Sequence, residues 1–230
     1  FDDLLKYDPQ TRARYYYGIA EIYVSGGEGQ TGSMDDYIVR YGGTEEDGFV
    51  VTNITPIAIS GTKTWLDNSN AYGTRPDDLN LTLYRSVNGG AGEEVEASPQ
   101  WTKNGDLWTY RYIDLPLTDD AGNIYTYRVE ETEPEPEGGA VEAGDTYEMS
   151  QDGYDLTNRL TGTTEVTGAK TWIDDGDGTR PDELTLTLFR KAGANGEKEA
   201  VTGVTPEWSG KHGDTWTYRY EDLPKYDENG

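Results

Sequence analysis

The chain has 230 residues, a formal net charge of −25, no Cys and a single His, His212. Disulfides and thiol chemistry are therefore excluded, and a His-based triad or a His-rich metal centre is not expected. The charge opposes nucleic acid and anionic membrane surfaces as partners, because both attract basic patches. No apolar run is long enough to insert in a bilayer.

The 18 Tyr and six Trp favour pleated, half-buried surfaces, and 29 Gly with 10 Pro supply frequent turns, so the chain reads as all-β. Phe1 is not a start methionine and no signal peptide opens the chain, which suits a processed or excised piece. Taken in order, the first segment carries Asp3-Leu4-Leu5-Lys6-Tyr7-Asp8, an element that returns as Asp222-Leu223-Pro224-Lys225-Tyr226-Asp227. Gly61-Thr62-Lys63-Thr64-Trp65 returns as Gly168-Ala169-Lys170-Thr171-Trp172. Gly73-Thr74-Arg75-Pro76-Asp77 returns as Gly178-Thr179-Arg180-Pro181-Asp182, and Trp108-Thr109-Tyr110-Arg111-Tyr112 as Trp216-Thr217-Tyr218-Arg219-Tyr220. With Trp101 answering Trp208, all six Trp fall into matched pairs, so each copy rebuilds one core. Residues 1–55 are read as the back half of one repeat, 56–160 as a complete repeat and 164–230 as the front half of a third. The complete repeat is expected to hold about seven strands, near 57–66, 78–86, 93–97, 106–113, 123–132, 145–150 and 153–160, which suits a two-sheet sandwich.

Strand alternation puts three polar residues of this repeat in apolar rows. Lys63 shares a face with Ile59 and Trp65, Glu131 with Tyr125, Tyr127 and Val129, and Asn158 with Tyr154, Leu156 and Leu160. The first segment repeats the last two rows, with Glu21 beside Tyr15, Tyr17 and Ile19, and Asn53 beside Phe49 and Val51. The third repeats the first row, with Lys170 beside Val166 and Trp172. Two readings stand side by side. The groups form an ordinary buried hydrogen-bonded ion network, or they react. Burial lowers the pKa of an amine and raises that of a carboxyl. A neutral amine can then attack a carboxamide while a neighbouring acid carries the protons.

The order Gly-x-Lys-Thr-Trp, Arg-Pro-Asp, Asp-Leu-Pro, Tyr-x-Val-x-Glu and Tyr-Asp-Leu-Thr-Asn resembles the Cna B-type domain of Gram-positive surface adhesins and pilins. The resemblance implies tandem prealbumin-like, reverse immunoglobulin-like β-sandwiches, each with a self-generated Lys–Asn isopeptide bond. It implies that Lys63 and Asn158 are joined, that Glu131 is the catalytic carboxyl, and that Lys170, Glu21 and Asn53 hold the same roles in the cut copies. The first segment departs slightly, with Leu4-Leu5 for Leu-Pro and Tyr-x-Ile-x-Glu for Tyr-x-Val-x-Glu.

The expectation is a non-enzymatic stalk segment, extracellular and held at the cell surface through another region. Its partners would be neighbouring repeats of the same chain, with host protein or glycan contacted elsewhere. A ligand-binding adhesin module and a subunit of a covalently linked polymer are the alternatives. No metal or other cofactor is expected. Asp174-Asp175-Gly176-Asp177-Gly178 lacks the spaced ligands of a dedicated calcium loop. Leu115-Pro116-Leu117-Thr118-Asp119 resembles a sorting signal but reads as a loop.

Overall fold

Fifteen strands run through the described residues, which are 1–22, 36–138, 142–174 and 180–230 of a computed structural model. The first hairpin is β1 (Ile38–Thr44) and β2 (Gly48–Ile54). The middle copy holds β3 (Pro56–Leu66), β4 (Leu81–Val87), β5 (Glu93–Val95), β6 (Gln100–Asn104), β7 (Leu107–Pro116), β8 (Tyr125–Glu131), β9 (Thr146–Asp152) and β10 (Asp155–Thr161). The last part holds β11 (Thr163–Thr171), β12 (Phe189–Arg190), β13 (Glu199–Ala200), β14 (Glu207–Ser209) and β15 (Thr215–Pro224). Among the described residues there is no α-helix, and the acidic turn after β3 closes in a short 3-10 turn at Asn68–Asn70.

In the middle copy the strands form a five-stranded sheet, β6-β7-β3-β10-β9, and a three-stranded sheet, β5-β4-β8. In the last part β11-β15-β14 form one sheet and β12-β13 another, while β1 and β2 pair only with each other. All seven expected strands of the middle copy are present. An eighth, β6, was not anticipated. It lies at a sheet edge, and Trp101 is its one partly covered residue, so alternation leaves a single mark in its sequence.

The chain divides into two compact units. One comprises 1–61, 81–101 and 110–130, and the other 62–80, 102–109 and 131–230. In the first, Leu83, Tyr110, Tyr112, Tyr127 and Val129 are buried. The second buries Trp65, Trp108, Tyr147, Leu156, Leu160, Trp216 and Tyr220. Trp65 meets Trp108 and Tyr147 edge-on, with ring centroids 5.3 and 5.1 Å apart. Trp172 and Trp216 repeat the first of these contacts at 5.4 Å.

Near the end of β7 the inward–outward alternation breaks, because Ile113 and Asp114 both face outward before Leu115 turns in. Asp114 has φ 56°, and the matched Asp222 and Asp3 have φ 53° and 58°. Asp tolerates this left-handed conformation better than most residues. In the pairing of β11 with β15 the extra residue appears as a shift: Thr164 faces Leu223 but Val166 faces Tyr220. A β-bulge at each Asp-Leu-Pro thus returns the Leu to the core face.

Candidate functional site

β3 and β10 run parallel, with Leu156 opposite Lys63 and Asn158 opposite Trp65. β9 covers the other edge of β10, with Met149 opposite Asn158. Both Lys63 and Asn158 are fully buried, at 0% exposure. Glu131 ends β8 on the same face as Tyr127 and Val129, as its phase requires, and its side chain is 4% exposed.

One carboxylate engages both partners. Lys63 Nζ donates to Glu131 Oε2 at 2.9 Å, and Asn158 Nδ2 donates to Glu131 Oε1 at 2.6 Å. Asn158 Oδ1 is buried without a hydrogen-bond partner. Turning the carboxamide over would exchange its oxygen and nitrogen. The oxygen would then face the Glu131 carboxyl across the same 2.6 Å. The site therefore places one carboxyl group between a buried amine and a buried amide, with solvent excluded.

Burial pushes Lys63 down to about 8, against the opposing pull of Glu131. An amine of that kind is neutral in about a tenth of molecules at pH 7, far more than an ordinary lysine. The sign of the linked stability follows. Between about 8 and the ordinary value of 10.5 the unfolded chain holds the Lys63 proton and the folded chain does not, so stability rises with pH in that window. An Asn158→Ala variant, in which Lys63 keeps Glu131 as its partner, is expected to gain urea resistance from pH 8 to 10 relative to the Lys63→Met/Asn158→Ala double variant. An unchanging difference between the two would mean that Lys63 is not desolvated.

Beside this triad lies a second buried cluster that sequence reasoning missed as a site. Lys63 Nζ stands 4.7 Å from the centre of the Trp65 ring, and the Arg75 guanidinium lies 5.3 Å from the same ring. Arg75 Nε donates to Asp67 Oδ2 at 2.8 Å, and its Nη2 donates to Asp106 Oδ1 at 2.6 Å. Asp67 is 1% exposed and also accepts from the Tyr147 hydroxyl and the Asn70 N–H. The sequence signal was present in the Arg-Pro-Asp motif, but Asp67 itself reads as one more acid in a polar turn.

The family model of the Cna protein B-type domain matches residues 59–159 and 166–230. The chain belongs to the Cna B-type domain family. It is also similar to a collagen adhesin of Staphylococcus aureus, with 32% identity over 238 aligned residues, covering 99% of this chain and 17% of the adhesin. A solved structure of two B repeat units of the S. aureus collagen-binding protein shares 25% identity, with a TM-score of 0.34, covering all of this chain and 53% of that one. The chain thus spans about a sixth of the curated relative it matches. The fold is the all-β Cna B-type sandwich expected from the motifs.

The segments before and after the middle copy hold parts of the same constellation. In the first, Asn53 Nδ2 donates to Glu21 Oε1 at 3.0 Å, repeating the Asn158–Glu131 contact, and Glu21 Oε2 is buried and unpartnered. Asn53, expected to face a core, is exposed, as are Phe49 and Val51 at 37% each. The reason is that β2 pairs with β1 alone, whereas β10 is flanked on both edges. In the third copy Lys170 is half-buried 4.3 Å from the Trp172 ring, and its Nζ donates to the Thr171 carbonyl at 2.9 Å. Within the sorting-like motif, Leu115 and Pro116 are buried at the end of β7, and Asp119 holds a turn through Asn123. The calcium candidate is mostly outside the described residues, which include only Asp174 of it. That side chain pairs with Arg180.

Proposed function

We propose that this chain is part of the stalk of a surface adhesin or fibre, built from serial Cna B-type sandwiches that close themselves with an internal amide. In this reading 56–160 is a whole repeat, 1–55 the back half of the one before and 164–230 the front half of the one after. Lys63 and Asn158 are the residues joined and Glu131 is the acid that assists, with Glu21, Asn53 and Lys170 the matching members of the other copies. The observation that carries the proposal is the single buried carboxylate held between a buried amine and a buried carboxamide.

The step balances within the triad. Neutral Lys63 Nζ attacks Asn158 Cγ while protonated Glu131 donates to the carboxamide oxygen. The proton released by Nζ passes through Glu131 to Nδ2, the Cγ–Nδ2 bond breaks and ammonia leaves, and the oxygen returns its proton to Glu131 as the carbonyl re-forms. Glu131 ends as it began. Holding the groups in contact supplies most of the acceleration, since positioned reactants have a large effective molarity. Each lysine reacts once, so this is self-modification rather than turnover. The link joins the first and last strands of the repeat, which also carry the chain in and out of it. Tension would therefore pass through a covalent bond and leave the sandwich folded.

Intact mass spectrometry tests the proposal. The native chain is expected to be lighter than its calculated mass by one ammonia, and the Lys63→Ala and Glu131→Ala variants to show their full masses. A native chain at full mass would remove the cross-link. A second reading, a module that itself contacts host protein, is favoured by the similarity to a collagen adhesin. Saturable binding of the 230-residue chain to collagen would support it over a stalk role.

A further inference from the structure

Asp145 stands just before β9, and its side chain is 1% exposed. Its carboxylate accepts from Lys225 Nζ at 2.8 and 3.1 Å, from the Tyr226 hydroxyl at 3.0 Å and from the Glu142 N–H at 2.9 Å. Lys225 also pairs with Glu142 at 2.8 Å. Lys225 and Tyr226 belong to the loop after β15, and the backbone ties that loop down at two points. Lys225 N–H donates to the Gly162 carbonyl and Asn68 N–H to the Asn229 carbonyl, each at 3.0 Å. Tyr226 meets Tyr72 edge-on at 5.4 Å. Gly162 leaves the room this needs, because a Cβ there would fall 2.3 Å from Asp145 Oδ1 and 3.2 Å from the Tyr226 ring. A buried acid with this many partners is fully satisfied only while the loop is docked.

We propose that the surface around Asp145 is a docking site for the Leu-Pro-Lys-Tyr-Asp loop of the next copy, and that Asp145, Lys225 and Tyr226 form a clasp fixing the angle between successive repeats. This rests on the division into repeats proposed above and not on the cross-link. The middle copy shows what the joint is without the clasp. Its loop reads Leu117-Thr118 in place of Lys225-Tyr226. Leu117 N–H still donates to the Thr55 carbonyl at 3.0 Å, the counterpart of the Lys225–Gly162 bond. Its charged tie is Arg40 to Asp120 at 2.9 Å, with side chains 40% and 72% exposed. An ion pair so open to water holds little. The stalk would thus alternate stiff joints with looser ones, according to whether a copy carries Lys-Tyr in this loop. Lys6 and Tyr7 repeat the clasp pair in the first copy and are exposed, available to an Asp145-type acceptor.

The absence of Cys allows spin labels to be placed at Ser150→Cys and His212→Cys, on either side of the joint. Pulsed dipolar spectroscopy of the 230-residue chain is expected to give one narrow distance distribution. Lys225→Leu/Tyr226→Thr, which copies the middle loop, is expected to widen it by roughly twofold or more, as for domains without a firm interface. Asp145→Asn, which keeps the side-chain size, is expected to do the same with near-ultraviolet circular dichroism unchanged. A native distribution already as wide as the variants', or an Asp145→Asn distribution as narrow as the native one, would overturn the clasp. Ammonia loss is read separately by mass, so the clasp and the cross-link fail independently.

Discussion

Replacing Asn158 by Ala is expected to lower the stability of the middle repeat by about 4–5 kcal/mol, a fall of roughly 20–30 °C in melting temperature for a domain of this size. The estimate comes from loop closure. Lys63 and Asn158 are about 95 residues apart, and a cross-link of that span takes the corresponding loop-closure entropy from the unfolded repeat. Asn158→Ala is the informative variant because it leaves Lys63 paired with Glu131. Glu131→Ala would add the cost of a buried amine without its partner, and the two effects would mix. Without a covalent link, Asn158→Ala would lose a hydrogen bond to a charged group and a little packing. The drop would then stay within about 1–3 kcal/mol. Urea midpoints of the two proteins at one pH decide between these outcomes.

Arg75→Ala is expected to cost about 3–5 kcal/mol, because it strands Asp67 as a buried, uncompensated charge. Arg75→Lys should recover little of this. The guanidinium spans Asp67, Asp106 and the Gly105 carbonyl at once, and an ammonium cannot match that fork. Asp67→Asn/Arg75→Met should be better tolerated than either single change, which a double-mutant cycle would show as strong coupling. A loss below about 1 kcal/mol in Arg75→Ala would mean that the cluster behaves as a surface ion pair. The same Arg sits against Trp65, whose ring also carries Lys63, so the cluster helps to fix one wall around the buried Lys63.

Strand phase was enough to single out Lys63, Glu131 and Asn158, since a period of two leaves each residue only one of two faces. The same argument misjudged the first copy. Phase puts Phe49, Val51 and Asn53 on one face, but a face becomes a core only when another element covers it, and β1–β2 is a lone hairpin among the described residues. Asp67 failed in the opposite direction, as an acid in a polar turn that tertiary contacts bury. The bulge at Asp114 was visible only as a recurring Asp-Leu-Pro, because nothing local in that tripeptide announces a left-handed residue.

The sequence by itself determined the repeat, the all-β class, the family and the three polar residues in apolar rows. These depend on residue type and on spacing along one strand, which no fold can alter. Only the tertiary structure decided that one carboxylate lies between the amine and the amide, that Asp67 is buried under Arg75, and that Asp145 receives Lys225 and Tyr226. These contacts join residues far apart in the chain, and their distances follow from how strands from different segments come together rather than from any pattern within one of them.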